Sequence, residues 1–169
     1  MYTALVLALA LSAPHEDPQG RFEIELPDGW KFSKTQSTPE VPVFTGTKRR
    51  KAKASATVMV SKSPDAIGLP GVHKRRLERG NQRPRSRLVD DAPTVLGGYR
   101  ARRLVYEQTS ESGTKLTVQE VFTQVYNRAF VLTLVTDKRQ AGSFEEDFAF
   151  LVRKLEPKDP KKADLDFAA

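Results

Sequence analysis

The stretch Ser143-Phe144-Glu145-Glu146-Asp147-Phe148-Ala149-Phe150-Leu151-Val152-Arg153-Lys154-Leu155 decides the fold class of this chain. Phe144, Phe148, Leu151 and Leu155 recur at i, i+4, i+7 and i+11, which places them on one stripe of an α-helix. Ser143 with Glu146 three residues on has the form of a capping box. Glu145, Glu146 and Asp147 open the helix and Arg153 and Lys154 close it. That order matches the helix dipole, worth about 0.3–1 kcal/mol per charge. A helix with one greasy stripe needs an apolar platform, and the rest of the chain reads mostly as strands.

Working outward, Arg21-Phe22-Glu23-Ile24-Glu25-Leu26-Pro27-Asp28-Gly29-Trp30 alternates apolar and acidic residues and then turns. Alternation is the mark of a half-buried strand, and Pro-Asp-Gly presets a tight turn. Trp30 is expected to plug one end of the core. Ala54, Ala56, Val58 and Val60 alternate with polar residues, giving a strand with a face small enough for close helix approach. Residues 68–80 predict a second helix, with Pro70 in its first turn, Val72, Arg76 and Leu77 near one side, and Lys74, Arg75 and Arg79 toward water. A short strand within 87–95 leads to a Gly97-Gly98 turn. Long strands follow over 99–109 and 115–126, joined at Glu111-Ser112-Gly113. Asn127-Arg128 marks the next turn. Residues 129–135 are apolar on both faces, which predicts a central strand covered on both sides. The pattern is that of one α+β domain.

The chain has 169 residues, a formal charge of +7 and no cysteine. Disulfides, thiolate metal sites and cysteine nucleophiles are thereby excluded. The basic balance, with a pI of ≈ 9.7, favours anionic partners. Two histidines are present, His15 in a linker and His73 in a basic stretch, so acid–base chemistry has few candidates. No catalytic residue, metal ligand or cofactor site is assigned. Asp90 and Asp91 are adjacent, and neighbouring strand residues point to opposite faces. The unusual surface chemistry is cationic. Lys48, Arg49, Arg50, Lys51 and Lys53 form a first cluster at a hairpin tip. Lys74, Arg75, Arg76 and Arg79 form the core of a second, continued by Arg83, Arg85 and Arg87. Arg100, Arg102 and Arg103 make a third. The first cluster and Lys74, Arg75, Arg76 and Arg79 are the expected partner-binding residues. No Phe, Tyr or Trp lies between Lys48 and Arg87. Nucleic-acid modules interleave aromatics with cations for stacking, so nucleic acid is disfavoured against an acidic protein or a polyanionic envelope component.

The opening run Tyr2-Thr3-Ala4-Leu5-Val6-Leu7-Ala8-Leu9-Ala10-Leu11 is continuously apolar and too short to span a bilayer, which takes about 20 residues. It suits a signal peptide over 1–12, with Ala10-Leu11-Ser12 as the cleavage site, although no basic residue precedes it. Export to the periplasm or beyond is the expectation, with a cytoplasmic protein as the alternative. A linker over 13–20, a folded domain over 21–156 and a disordered tail over 157–169 complete the expected organisation, as a monomer with no transmembrane helix in the mature chain.

Four features together resemble a known family. They are Phe22-Glu23-Ile24-Glu25-Leu26-Pro27-Asp28-Gly29-Trp30, the Gly98-Tyr99-Arg100-Ala101 start of a long strand, the apolar strand over 130–135, and the closing helix over 144–155. Their order is similar to the family that holds the photosystem II extrinsic protein PsbP, the Ran-binding protein Mog1 and the bacterial DcrB-like proteins. The resemblance implies an α/β/α sandwich around an antiparallel sheet, used as a non-enzymatic binding or assembly module, exported in the bacterial branch. No photosynthetic or Ran-binding residue set is matched. A basic polyanion or nucleic-acid binding protein is the alternative function.

Overall fold

The computed structural model describes residues 13–48 and 52–160. The apolar run at the start of the chain and Arg49, Arg50 and Lys51 lie outside the described residues. Among those described, seven strands form one antiparallel sheet. They are β3 (Trp30–Phe32), β4 (Val43–Thr47), β5 (Lys53–Lys62), β6 (Ser86–Leu96), β7 (Tyr99–Thr109), β8 (Lys115–Val125) and β9 (Arg128–Asp137), in the order β3-β4-β5-β9-β8-β7-β6. Helix α1 (Gly68–Asn81) carries the chain from β5 to β6 across one face, and α2 (Glu145–Lys154) lies on the other. A small second sheet joins β1 (His15–Glu16), β2 (Phe22–Ile24) and β10 (Leu155–Pro157), with β2 in the middle. The architecture is α+β, an α/β/α sandwich.

Strand alternation splits the core in two. Ala54, Ala56, Val58, Ala101, Val121, Phe130, Leu132 and Leu134 face α2 and meet Phe144, Phe148, Leu151 and Leu155. Leu104, Tyr106, Val118, Phe122 and Val131 face α1 and meet Val72. The strand β9 therefore buries both faces, as its unbroken apolar run requires. Trp30 sits at the end of the α2-side core, edge-on to Phe144 with centroids 6.1 Å apart. Its indole Nε1 donates to Asp147 Oδ2 at 2.7 Å.

Four local expectations are corrected. First, Ser143 caps nothing: residues Lys138–Phe144 wind as a 3-10 stretch, and α2 begins at Glu145 with no side-chain cap. Asp137 caps that stretch instead, its Oδ1 accepting Arg139 N–H at 2.8 Å. The driving constraint is Phe144, fully buried against Trp30, which sets where the helix starts. Second, the stretch expected as linker contributes β1, which pairs with β2; a buried Asp17–Arg21 ion pair at 2.7 Å closes the intervening turn. His15 is thus inside the fold, stacked on Phe32 at 4.5 Å and edge-on to Phe44 at 5.1 Å. Third, the residues just after Glu156, expected as tail, stay in the domain as far as Lys158. β10 pairs Glu156 with Glu23 and Pro157 with Phe22, and Lys158 bonds Glu23 across the sheet. Fourth, the β8–β9 turn is one residue earlier than read, with Tyr126 and Asn127 both at φ 55°. Two successive positive φ values make the primed turn that matches strand twist.

Candidate binding surfaces

Helix α1 has no acidic residue in its first turn and a mean character too polar to drive folding alone; what fixes it is a buried charge cluster. Arg76 points inward beside Val72 and meets Glu120, which is 0 % exposed in the middle of β8. Arg76 Nε donates to Glu120 Oε2 at 3.0 Å, and its Nη2 lies 2.8 Å from Oε1. Arg83, just past the helix, bonds the same Oε1. Two guanidinium forks on one carboxylate satisfy a charge that burial would otherwise make very costly. Gly80 lets the helix close over this cluster: a Cβ there would lie 2.1 Å from the Tyr106 hydroxyl. Burial holds that phenol above its ordinary range.

Arg76 is therefore removed from the expected partner-binding set. Its neighbours divide the same way. Arg87 bonds Glu107 at 2.8 Å and Lys138 reaches the same carboxylate at 2.6 Å. These two contacts, Lys138 foremost, hold the half-buried Glu107 carboxyl down to about 2. Arg102 meets Asp91, and Arg103 meets Asp90 at 2.6 Å on the opposite face, as adjacent strand residues must. Lys48 is drawn to Asp147 at 2.7 Å, so the first cluster is partly engaged by α2. Lys53 is exposed. Lys74, Arg75 and Arg79 remain on the outer edge of α1 with no ion pair among the described residues.

Among the described residues, Lys53 of the first cluster lies apart from the α1 edge. Arg75 and Arg79 line a cavity of ≈ 120 Å3 at the seam between α1 and β5, beside Met59 and Ser61. Lys53 lies six residues back along β5 from Met59, roughly 20 Å at the strand rise. Lys62 joins the α1 edge at this seam. Sequence reading missed it because a single lysine closing a strand carries no pattern of its own.

His73 is the histidine nearest to a catalytic arrangement. Its Nε2 lies 2.9 Å from Asp91 Oδ2 and its ring stacks over Phe122 at 6.1 Å. The third member is the Arg102 guanidinium, which bonds the same carboxylate. A cation in that place neutralises Asp91 and offers no nucleophile, so the set reads as a structural ion-pair relay. Among the described residues, no group of three His, Asp or Glu side chains could hold a metal ion.

Two larger grooves flank the β6–β7 end of the sheet. One, of ≈ 720 Å3, lies between the first turn of α1 and β7–β8 and is lined by Leu69, Pro70, His73, Arg100, Arg102 and Gln124, among others. The other, of ≈ 630 Å3, lies under α2 and is lined by Val95, Arg103, Gln119, Phe148 and Val152, among others.

No family model and no curated protein matches the chain. Solved structures do. The cyanobacterial PsbP of Synechocystis sp. PCC 6803 superposes with a TM-score of 0.57 at 16% identity, over 94% of this chain and 99% of that one. The Saccharomyces cerevisiae Ran-binding protein Mog1p gives 0.60 at 12% identity, over 88% and 96%. The chain has the PsbP/Mog1-like fold. A third PsbP/Mog1-like neighbour is Mycobacterium tuberculosis LpqN, described as involved in cell envelope biogenesis, with a TM-score of 0.57 at 15% identity over 85% and 90%. Among the described residues of this PsbP/Mog1-like chain, no helix is long and apolar enough to cross a membrane.

Proposed function

We propose that this protein is an exported, non-catalytic binding or assembly module of the cell envelope that engages an acidic partner through the outer edge of α1. The observation that carries the reading is the contrast within one helix. Arg76 turns inward to Glu120, while Lys74, Arg75 and Arg79 project outward without a carboxylate partner among the described residues. Three unneutralised cations on one rigid helix face attract anionic surfaces and speed encounter. The envelope assignment draws support from the signal-like start and from the fold shared with LpqN. The protein-binding assignment draws support from Mog1p, a Ran-binding protein of the same fold.

The partner is an acidic protein or a polyanionic envelope component. The reading as a nucleic-acid binder uses the same edge, but α1 carries no Phe, Tyr or Trp, and the ring of its one histidine, His73, is stacked against Phe122. Heparin chromatography tests the edge directly. The wild-type protein should be retained at low salt and released at moderate salt, because exposed charges are screened over about 10 Å at 0.1 M. Lys74→Ala/Arg75→Ala/Arg79→Ala should elute early while keeping its melting temperature. Lys115→Ala/Arg139→Ala, at the far turn, should elute with the wild type. Unchanged elution of the triple variant would remove the α1 edge as the binding surface.

A further inference from the structure

The seam between α1 and β5 holds a small cavity with an apolar floor and a cationic rim. In the sheet, Ser61 of β5 pairs with Ala129 of β9, and Met59 pairs with Val131. Ser61 and Ala129 are small, and beside them a hollow of ≈ 120 Å3 stays open under the helix. Val72 closes it from α1, which the Arg76–Glu120 bond holds down. Arg75 and Arg79 line it from the helix, and Lys62 lines it from the end of β5.

This rim is under repulsion. Arg75 and Arg79 stand at i and i+4, adjacent on the helix surface, where like charges oppose each other. Neither they nor Lys62 make an ion pair among the described residues, and the Ser61 hydroxyl has no hydrogen-bond partner there. No Asp or Glu among the described residues lines the cavity. Of the acids around it, Glu120 is spent on Arg76 and Arg83. Asp65 accepts the Asn127 backbone N–H, and Glu78 is exposed and outside the lining. What the rim lacks is an anion.

The size sets what kind. A cavity of ≈ 120 Å3 is well below the roughly 300–1,000 Å3 of a pocket that takes in a whole small molecule. It takes one group. A carboxylate brings two oxygens and one charge to a rim of three cations. A tetrahedral oxyanion brings more oxygens, which guanidinium forks bind in pairs. The apolar floor of Met59, Val72 and Val131 lowers the local dielectric and strengthens those bonds.

We propose that the seam cavity binds a tetrahedral oxyanion, the phosphate or sulfate group of an anionic ligand, between the guanidinium groups of Arg75 and Arg79, with Lys62 and Ser61 completing the site. This rests on the reading of the α1 edge as a binding surface and names the chemistry that the edge takes. Lys74, also on that edge, does not line the cavity and adds only long-range attraction.

The experiment is a titration of the isotope-labelled full chain with inorganic phosphate at constant ionic strength, followed by backbone amide shifts. Shifts should saturate and centre on Ser61, Lys62, Arg75 and Arg79, with acetate binding about tenfold more weakly or worse. Glycerol 3-phosphate matching inorganic phosphate would assign the site to an esterified group; inorganic phosphate binding alone would assign it to the free anion. Arg75→Lys/Arg79→Lys keeps every charge and removes both forks, so it should weaken phosphate severalfold yet stay on heparin. Lys74→Ala should do the reverse, leaving heparin earlier with phosphate binding unchanged. Phosphate binding no tighter than acetate, or indifferent to the loss of both forks, would overturn the proposal while heparin retention kept the α1 edge. Saturable phosphate shifts at the cavity in a protein that heparin does not retain would remove the polyanion reading and leave this site standing.

Discussion

Replacing Glu120 by Gln is the sharpest perturbation of this fold. The carboxylate is wholly buried and holds Arg76, whose side chain is 9% exposed, together with Arg83, whose side chain is 24% exposed. Arg83 has a route to water and can turn outward at small cost. Arg76 is far more enclosed, and would be left as a nearly buried cation facing a neutral amide. Removing one partner of a buried pair costs about 3–5 kcal/mol. Domains of this kind have about 5–15 kcal/mol of total stability, so the loss would be about a fifth of it or more. Urea unfolding followed by circular dichroism at pH 7 measures it, with an unchanged slope showing that the change lies in stability and not in the unfolded state. Arg83→Ala should cost about 1 kcal/mol, the ordinary worth of a solvent-screened pair. Arg76→Met/Glu120→Leu should recover to within about 2 kcal/mol of the wild type, because an apolar pair replaces two desolvated charges. A cost below about 1 kcal/mol for Glu120→Gln, or a double variant as unstable as the single, would refute the claim that this cluster anchors α1.

Three further outcomes follow from named contacts. Gly80→Ala should lower stability by about 1–3 kcal/mol, read by thermal melting, because the new methyl overlaps the Tyr106 hydroxyl and ring. Asp147→Ala should cost about 1.5–3 kcal/mol and shift the emission of Trp30, the one tryptophan, whose buried Nε1 would lose its charged acceptor. Burial lowers the His15 pKa from 6.5, against a smaller opposing pull from Asp17, so the folded state binds this proton less tightly than the unfolded chain. Stability should therefore be full above about pH 6.5 and fall as pH drops through and below that value, whereas His15→Phe should be flat there. The Glu107 carboxyl, held at about 2, would begin to matter only below its ordinary value of 4.5, so the two windows separate in a urea-midpoint series against pH.

The parts of the fold that repeat a period were legible in the sequence. The stripe of Phe144, Phe148, Leu151 and Leu155 is buried as the spacing requires, and β9 is central as its two-sided apolar run requires. The parts fixed by single tertiary contacts were not. Ser143 has the right neighbours for a cap, but the burial of Phe144 sets the helix start instead. His15-Glu16 and Glu156-Pro157 are too short to show alternation, and they become strands only because β2 offers both its edges. The candidate site shows the same division. The cationic face of α1 could be read from Lys74, Arg75 and Arg79, but nothing in the local sequence distinguishes Arg76 from them. Its partner, Glu120, lies 44 residues away on another strand. A variant set containing Arg76→Ala would have reported unfolding as loss of binding.

Backbone amide mapping of the labelled protein with short heparin fragments locates the binding surface residue by residue. The account predicts salt-sensitive shifts grouped on Lys62, Lys74, Arg75 and Arg79 at the α1–β5 seam, with α2 and the Ser112–Lys115 turn silent. Shifts grouped on the α2 face or on that turn, with the α1 edge silent, would contradict it.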